Sequence, residues 1–449
     1  MSRPAVKQQR RLSWWGATGL FCAMAGSFIG YRANAQDIAI TNARLVIGDG
    51  SAPVEGGTVV VRGGRVVAAG SGIAVPSGVQ SIDAGGKWVT PGLVAGFSRV
   101  GLVEVDAVDG SNDAESGTSI FSAAIDIAPA LNPLGAPVAV NRLEGVTRAL
   151  VYPGDGSGLF AGRGALVDLG SDRNMVTRSG LFQYVEFGEE GAQRAGGSRA
   201  ATFLQFRALL QEARDFAANR VAYDGRSTDN LLRRADAEAL LRVLDGRDRL
   251  FIKVDRASDI LNIIALMRDY PQIRPTLVGV TEGWTVAADI AAANIPVIAS
   301  ALSDLPASFE ALAATQSNIG RMRAAGVQVA IGLVDDNEIH KLGYNRQYAG
   351  NLVALSRLPG NGGMTWDQAF AAITSGPAIA AGVDSEVGSL RAGRVGDVVI
   401  WDGDPLEVTS VPVAVYIDGV EQPMTSRQRR LRDRYLSPVE GDLPNSYDR

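Results

Sequence analysis

The chain changes its pattern of apolar and polar positions twice. Short apolar runs in 37–90 are separated by Gly-Asp-Gly, Gly-Gly and Pro-Ser-Gly, and a second block of this kind covers 387–421. Such runs with glycine-rich turns predict β-hairpins. Between the blocks the pattern predicts strands at 146–154, 162–170, 250–255, 276–283, 295–302 and 327–336, and helices at 201–221 and 230–246. Repeated strands and helices over this length favour a parallel barrel or a doubly wound sheet.

The first 35 residues have the layout of an export signal. A positively charged start is followed by the apolar run WWGATGLFCAMAGSFIG and by Ala33-Asn34-Ala35. Small residues at that spacing indicate cleavage after Ala35 and a periplasmic protein. An uncleaved membrane anchor is the alternative, because the run is near the lower length limit for a span. The sequence leaves the choice between Sec and twin-arginine export open.

The charge and the cysteine content exclude several classes of function. The 449 residues carry a net charge of −5, and removing the signal brings it to −10, so nucleic-acid binding is not expected. The only cysteine, Cys22, leaves with the signal. The mature chain then has no thiol for a disulfide, a thiolate metal site or a cysteine nucleophile.

Several segments carry a family resemblance. The chain reads ITNARLVIGDG near its start, KWVTPGLV at 87–94 and AITSGPAIAAGVDSEVGSLRAGRVGDVVIWDGDPL at 372–406. In the last segment Gly388, Leu390, Gly393 and Asp397 fit a G-x-L-x-x-G-x-x-x-D run. Together these segments resemble the amidohydrolase superfamily, in its exported imidazolonepropionase-like branch, from about Ile38 to Val420.

The resemblance implies a (β/α)8 TIM-type barrel with a small β-sandwich built from both chain ends. Between the export signal (1–35) and a C-terminal segment whose composition predicts a short helix and a disordered tail (425–449), it implies a composite β-sandwich domain (36–90 and 385–424) and a barrel (91–384).

The resemblance also implies one or two divalent metal ions at the barrel mouth, where they activate a water molecule. Nearly all of the expected ligand positions hold other residues. The positions of the two first-strand histidines hold Phe97 and Arg99. The positions of the later histidines hold Lys253, Asp255 and Gly279. The acid expected in the middle of the barrel falls on Asp168, and the acid expected on the last strand falls on Asp335 or Asp336. His340 is the only histidine, so composition alone excludes a histidine-based two-metal centre.

Each candidate residue has a functional and a structural interpretation. Arg99 is either the partner of a carboxylate ligand or, as favoured, the salt-bridge partner of Asp168 or Asp255. Phe97 is expected to fill the space of the absent metal. Lys253 and Asp255 share one face of a strand, which favours an ion pair over a general base.

The remaining candidates lie on later loops. Asp335 and Asp336, with Asp168 or Asp255, either hold a hard cation through oxygen atoms or, as favoured, form a solvated loop. Glu282 is expected to cap the helix that follows it, and His340 to orient Glu282 or an asparagine.

Two functions stay open. The favoured one is a barrel with a degenerate metal site, a pseudoenzyme that binds a ligand or a protein partner and needs no cofactor. The alternative is an exported hydrolase of non-peptide carbon–nitrogen bonds with a rebuilt site, which requires Zn²⁺ or Mg²⁺. The catalytic candidates of this alternative are Asp335, Asp255 and Lys253. The residues expected to line the pocket are Phe97, Arg99, Glu282 and His340. The candidate metal ligands are Asp168, Asp255, Asp335 and Asp336.

The expected partners are a small-molecule ligand and either a second copy of the chain, in a homo-oligomer, or a histidine-bearing homologue, in a hetero-oligomer. No membrane contact is expected after cleavage.

Overall fold

The computed structural model describes residues 35–105, 107–221, 223, 230–301, 303–334 and 340–436. The strands are β1 (Ile38–Leu45), β2 (Val54–Arg62), β3 (Arg65–Gly70), β4 (Gln80–Asp83), β5 (Trp88–Pro91), β6 (Leu93–Ser98), β7 (Val146–Val151), β8 (Phe160–Asp168), β9 (Val176–Glu186), β10 (Arg249–Val254), β11 (Pro275–Gly279), β12 (Val297–Ala299), β13 (Val329–Ile331), β14 (Val398–Trp401), β15 (Pro412–Ile417) and β16 (Val420–Glu421). The α-helices are α1 (Ala136–Leu143), α2 (Gly188–Arg194), α3 (Arg199–Ala218), α4 (Arg234–Leu244), α5 (Ala257–Met267), α6 (Ala287–Ala292), α7 (Asn318–Ala324), α8 (Tyr344–Leu355), α9 (Trp366–Ala371), α10 (Ser375–Ala381) and α11 (Arg427–Leu436). Among the residues described, none of the helices has the length and apolar character of a membrane span.

The two ends of the chain share one sheet. Its strand order is β16-β15-β14-β5-β1-β2-β3, and β4 pairs beside β1. The N-terminal strand β5 therefore lies between β1 and the C-terminal strand β14, to which it is antiparallel. The Nε1 of the fully buried Trp401 donates a hydrogen bond to Oγ1 of Thr90 across this junction, 2.9 Å away. The strands of this sheet share an apolar core that is separate from the core of the barrel. The predicted two-layer β-sandwich stays a prediction.

The predicted Gly-Gly hairpin is confirmed between β2 and β3. Gly63 and Gly64 have φ of 54° and 77°, and they join Arg62 to its cross-strand partner Arg65. Positive φ at both central residues is the geometry that follows the twist of a two-residue hairpin, and glycine adopts it without a steric cost.

The second sheet is barrel-like and runs in the order β6-β7-β8-β9-β10-β11-β12-β13. It departs from a uniform (β/α)8 barrel at β8, which is antiparallel to both β7 and β9. The connections 152–159 and 169–175 are too short for a crossover helix, which a parallel neighbour needs. The region 146–186 is therefore a β-meander within an otherwise parallel sheet.

Glycines allow the two edge strands of the barrel to approach each other. A Cβ atom added to Gly96 in β6 would lie 2.7 Å from the carbonyl oxygen of Ile331 in β13. A Cβ atom added to Gly332 would lie 2.9 Å from the Cβ atom of Phe97. Residues 372 and 373 complete the closure, because their carbonyl oxygens accept hydrogen bonds from the amides of Ile331 and Val94, both of 2.9 Å.

Candidate functional site at the barrel mouth

Three aromatic rings meet where β6, β7 and β9 end. Phe97 stacks on Tyr152 with ring centroids 3.5 Å apart, and Tyr184 meets Tyr152 edge-on at 5.3 Å. Phe97 is only 2% exposed. The carboxyl ends of parallel strands meet at one end of a barrel, which is where barrel enzymes place their chemistry. Here that end holds a packed aromatic cluster.

Arg99 lies beside this cluster without a carboxylate partner in the described part of the chain. Its guanidinium is 5.1 Å from the ring centroid of Tyr152, and its buried Nε makes no hydrogen bond there. Burial opposes its charge, but the surrounding Tyr152, Tyr184, Asp155 and Glu115 outweigh burial and raise the pKa of Arg99. Arg99 therefore stays a cation at the mouth.

The favoured salt bridge of Arg99 is wrong for both proposed partners. Asp255 pairs with Lys253, and Asp168 pairs with Arg148. The ion pair predicted between Lys253 in β10 and Asp255 just after this strand is confirmed. Oδ2 of Asp255 accepts from the Lys253 ammonium, while its Oδ1 accepts from the amide and the hydroxyl of Thr281 at 3.1 and 2.6 Å.

The Lys253–Asp255 pair occupies the space next to Gly279, where the resemblance expects a histidine. Gly279 has φ of +90°, and an added Cβ would lie 2.6 Å from Oδ1 of Asp255 and 2.8 Å from Nζ of Lys253. A side chain at this position would meet both the charged pair and an unfavourable backbone conformation. The lysine and the aspartate fill the place that the resemblance assigns to an imidazole.

Asp168 lies at the other end of the barrel from Asp255, and this corrects its assignment to the mouth. Because β8 is antiparallel, its last residue Asp168 pairs with Arg148 near the start of β7. The fully buried Arg148 also contacts Asp397 at 2.8 Å and Asp418 at 2.6 Å. Burial raises the pKa of Asp168 to about 6, although Arg148 opposes this shift. Asp168 belongs to an ion cluster between the two sheets.

Glu186 takes the place that the sequence analysis gave to Asp168. It is the last residue of β9, opposite Lys253 in the strand register. Its carboxylate accepts a hydrogen bond from the hydroxyl of Tyr184 at 3.1 Å and pairs with Nε of Arg194 at 2.9 Å. Burial raises its pKa. The strand run FQYVE, ending in an acid, was the signal that could have identified it.

Glu310 is a second acid at the mouth that the sequence analysis missed. Its Oε2 accepts hydrogen bonds from the amide of Glu189 and from Nη2 of Arg199, both at 2.8 Å. Burial and then the nearby charge of Asp255 raise its pKa. It lies in a loop without a periodic pattern, so nothing in the sequence distinguished it from a surface residue.

Glu282 does not cap the helical turn that follows it, contrary to expectation. Its two carboxylate oxygens accept hydrogen bonds from the amide of Ala257, at the start of α5, and from the amide of Ala313, at 2.9 and 3.1 Å. The carbonyl oxygen of His340 accepts from Nδ2 of Asn141 in α1 at 2.6 Å. Asp335 and Asp336 lie outside the described residues.

Comparisons with known proteins agree with this architecture. Residues 266–430 match the sequence model of the Amidohydrolase family. Amidohydrolase tasK of Hapsidospora irregularis is 24% identical over 391 residues, in a match that covers 78% of this chain and 38% of that protein. Imidazolonepropionase of Maricaulis maris (strain MCS10) is 27% identical over 246 residues, in a match that covers 49% of this chain and 56% of that protein. By these matches the chain is similar to amidohydrolases and to an imidazolonepropionase. The chain spans about two fifths and just over half of the lengths of these two curated relatives.

Solved structures of other proteins share the fold. An amidohydrolase from Thermotoga maritima MSB8 superposes with a TM-score of 0.74 at 22% identity, covering 86% of this chain and 99% of the other. Molinate hydrolase superposes with a TM-score of 0.52 at 18% identity, covering 92% and 98%. These similarities establish the barrel architecture.

The donor atoms at the mouth do not fit the metal centre that the resemblance implies. Phe97 and Gly279 have no ligating side chain, Arg99 is a cation, and Lys253 already pairs with Asp255. Within the described ranges, no group of three or more His, Cys, Asp or Glu side chains is arranged to hold a metal ion. No reaction step is therefore assigned to a metal here.

Proposed function

We propose that this protein is an amidohydrolase-like barrel that binds a small carboxylate at its mouth and does not hydrolyse it. The observation that carries the proposal is Arg99, a cation beside the aromatic cluster with no carboxylate partner among the described residues. A guanidinium forms its strongest hydrogen bonds with carboxylates and phosphates. The neighbouring rings of Phe97 and Tyr152 are buried and stacked on each other, so Arg99 is the group that a ligand would meet.

The other charged groups of the mouth are already paired, which supports Arg99 as the recognition residue. Lys253 pairs with Asp255, and Arg194 pairs with Glu186. Neither cation therefore contributes an uncompensated charge. In this arrangement Lys253 holds Asp255 in place and serves no proton transfer.

Binding of benzoate to the mature protein, measured by isothermal titration calorimetry, tests this function. We expect Arg99→Gln to weaken benzoate binding roughly tenfold or more, because a charge-assisted hydrogen bond is lost. Arg207→Gln serves as the matched control, since Arg207 is exposed and pairs with Asp269 on the helical surface. Benzyl alcohol binding as tightly as benzoate would contradict the proposal.

The alternative function is a hydrolase of non-peptide carbon–nitrogen bonds with a rebuilt site. The match of 266–430 to the Amidohydrolase family and the names of both curated relatives support it. It requires a divalent ion held by acids such as Asp255, Asp335 and Asp336.

Elemental analysis of the purified protein, with a panel of cyclic amides, separates the two functions. The binding function predicts no stoichiometric Zn²⁺ or Mg²⁺, no turnover and a melting temperature unchanged by EDTA. Turnover that disappears in Asp335→Ala, or a large drop in melting temperature with EDTA, would establish the hydrolase instead.

We further propose that the protein is exported and cleaved after Ala35. The charged, apolar and small-residue segments of 1–35 support this proposal. N-terminal sequencing of the protein from its native cells should begin at Gln36. A protein that retains Cys22 in the membrane fraction would indicate an anchor.

A further inference from the structure

A cavity lies at the opposite end of the barrel from the mouth. Its volume is about 640 Å³, and it is lined by the starts of β10, β11 and the segment before β12, together with the ends of α5 and α6. This volume falls within the range of small-molecule sites in proteins. Because the starts of parallel strands form this end, the cavity is separate from the aromatic cluster and from Arg99.

Arg249 brings a cation to this cavity. It is the first residue of β10, and it lines the cavity. Its Nε is buried and makes no hydrogen bond within the described structure, and no carboxylate there forms an ion pair with it. Gly382 makes room for the guanidinium, because an added Cβ would lie 2.6 Å from Nε.

Three arginines and one acid line the cavity, so its charge is mainly positive. Burial and then repulsion by Arg274 lower the pKa of Arg249, while the charge of Asp384 opposes this shift. Arg268 also lines the cavity, and Asp289 is the acid among the lining residues. Like charges in a partly buried place are costly unless an anion joins them.

The position of one of these arginines is explained by the end of a helix. Arg268 stands at the C-terminal end of α5, where a cation offsets the helix dipole, and it needs no ligand to explain it. Arg249 opens a strand, so this explanation does not cover it. Its charge lines the cavity without an ion-pair partner in the described structure, and that charge is the feature that a ligand would satisfy.

The cavity wall is apolar next to these cations. Ile264, Met267 and Ile295 are buried side chains that contribute to it. We propose that this cavity binds an organic anion, a carboxylate on a short hydrocarbon chain, with its head on Arg249 and Arg274. The site does not depend on the function proposed for the mouth.

Hexanoate binding to the mature protein tests this site. We expect Arg249→Gln to weaken binding by roughly tenfold to a hundredfold and the exposed Arg274→Gln to weaken it less. Arg247→Gln is the matched control, because Arg247 lies nearby, pairs with Asp245 and does not line the cavity. Arg99→Gln should leave hexanoate binding unchanged, which separates this site from the mouth.

Three outcomes would overturn the proposal. Hexylamine or 1-hexanol binding as tightly as hexanoate would remove the role of the cations. Inorganic phosphate binding as tightly, with the same response to Arg249→Gln, would remove the role of the apolar wall. If Arg249→Gln does not fold, unchanged hexanoate affinity in Arg274→Gln would count against the site, because Arg274 is exposed and its substitution should not disturb folding.

Discussion

At the scale of single residues, Arg148 shows how charge is balanced inside this fold. One buried guanidinium contacts Asp397, Asp418 and, at 3.7 Å, Asp168. The three carboxylates carry two more negative charges than the single guanidinium can balance. Burial therefore favours protonation of Asp168, the carboxylate farthest from Arg148. The pKa of Asp168, raised to about 6, reflects that imbalance.

Asp168→Asn should therefore change how stability depends on pH. Between pH 3.8, the ordinary pKa, and about 6, the folded state holds a proton at Asp168 that the unfolded state has released, so this group's contribution falls as pH rises. The full contribution is at most ~3 kcal/mol.

Urea unfolding of both proteins from pH 4 to 7.5 measures the effect. The native protein should lose more stability across this range than Asp168→Asn does. Parallel curves for the two proteins would show that Asp168 does not titrate in the window. Asp433→Asn is the control, because Asp433 lies on the exposed α11.

At the scale of elements, the sequence predicted the strands better than their directions. The runs at 146–154 and 162–170 correspond to β7 and β8, but alternation alone does not distinguish a parallel from an antiparallel neighbour. The reversed direction of β8 moved Asp168 to the far end of the barrel and left Glu186 as the acid at the mouth. The lengths of the two connections carried the missing information.

Side-chain chemistry was predictable where partners lie close along one strand. Lys253 and Asp255 were expected to pair because they share a strand face, and they do. Partners brought together by the fold were not predictable. Glu310 reaches the mouth from a loop, and Glu282 binds amides of α5 and of another loop.

Barrel closure gives a prediction for β6. Gly96→Ala should destabilise the protein by roughly 1–3 kcal/mol, since the new methyl group would press on the backbone of β13. Gly117→Ala is the matched control, because nothing lies within 4 Å of its added Cβ. Urea unfolding should show a lower midpoint for the first variant only, and equal midpoints would mean that the strands do not pack this closely.

At the scale of the whole molecule, the shared sheet makes the two chain ends depend on each other. The core of this sheet combines residues of β1, β2 and β5 with Val398, Ile400 and Tyr416 from the C-terminal strands. Neither end can bury its apolar face without the other.

Two truncations test this dependence. Deleting 398–449 removes β14, β15 and β16 and should leave no soluble folded protein, because β5 loses its partner β14 and the barrel core loses Trp401. Deleting 427–449 removes α11, which has no buried residue, and should change the free energy of unfolding by less than about 0.5 kcal/mol. Cooperative unfolding of the longer deletion, seen by circular dichroism, would show that the barrel folds alone.

The conformation at Gly279 makes the introduction of a histidine at this position unfavourable. A histidine introduced there first would meet both charged atoms and a backbone turn that costs an L-residue about 1–3 kcal/mol. Removing the lysine first would leave the buried Asp255 without its ion-pair partner. Both single changes therefore begin with a less stable protein, which opposes an exchange of this pair for a histidine one mutation at a time.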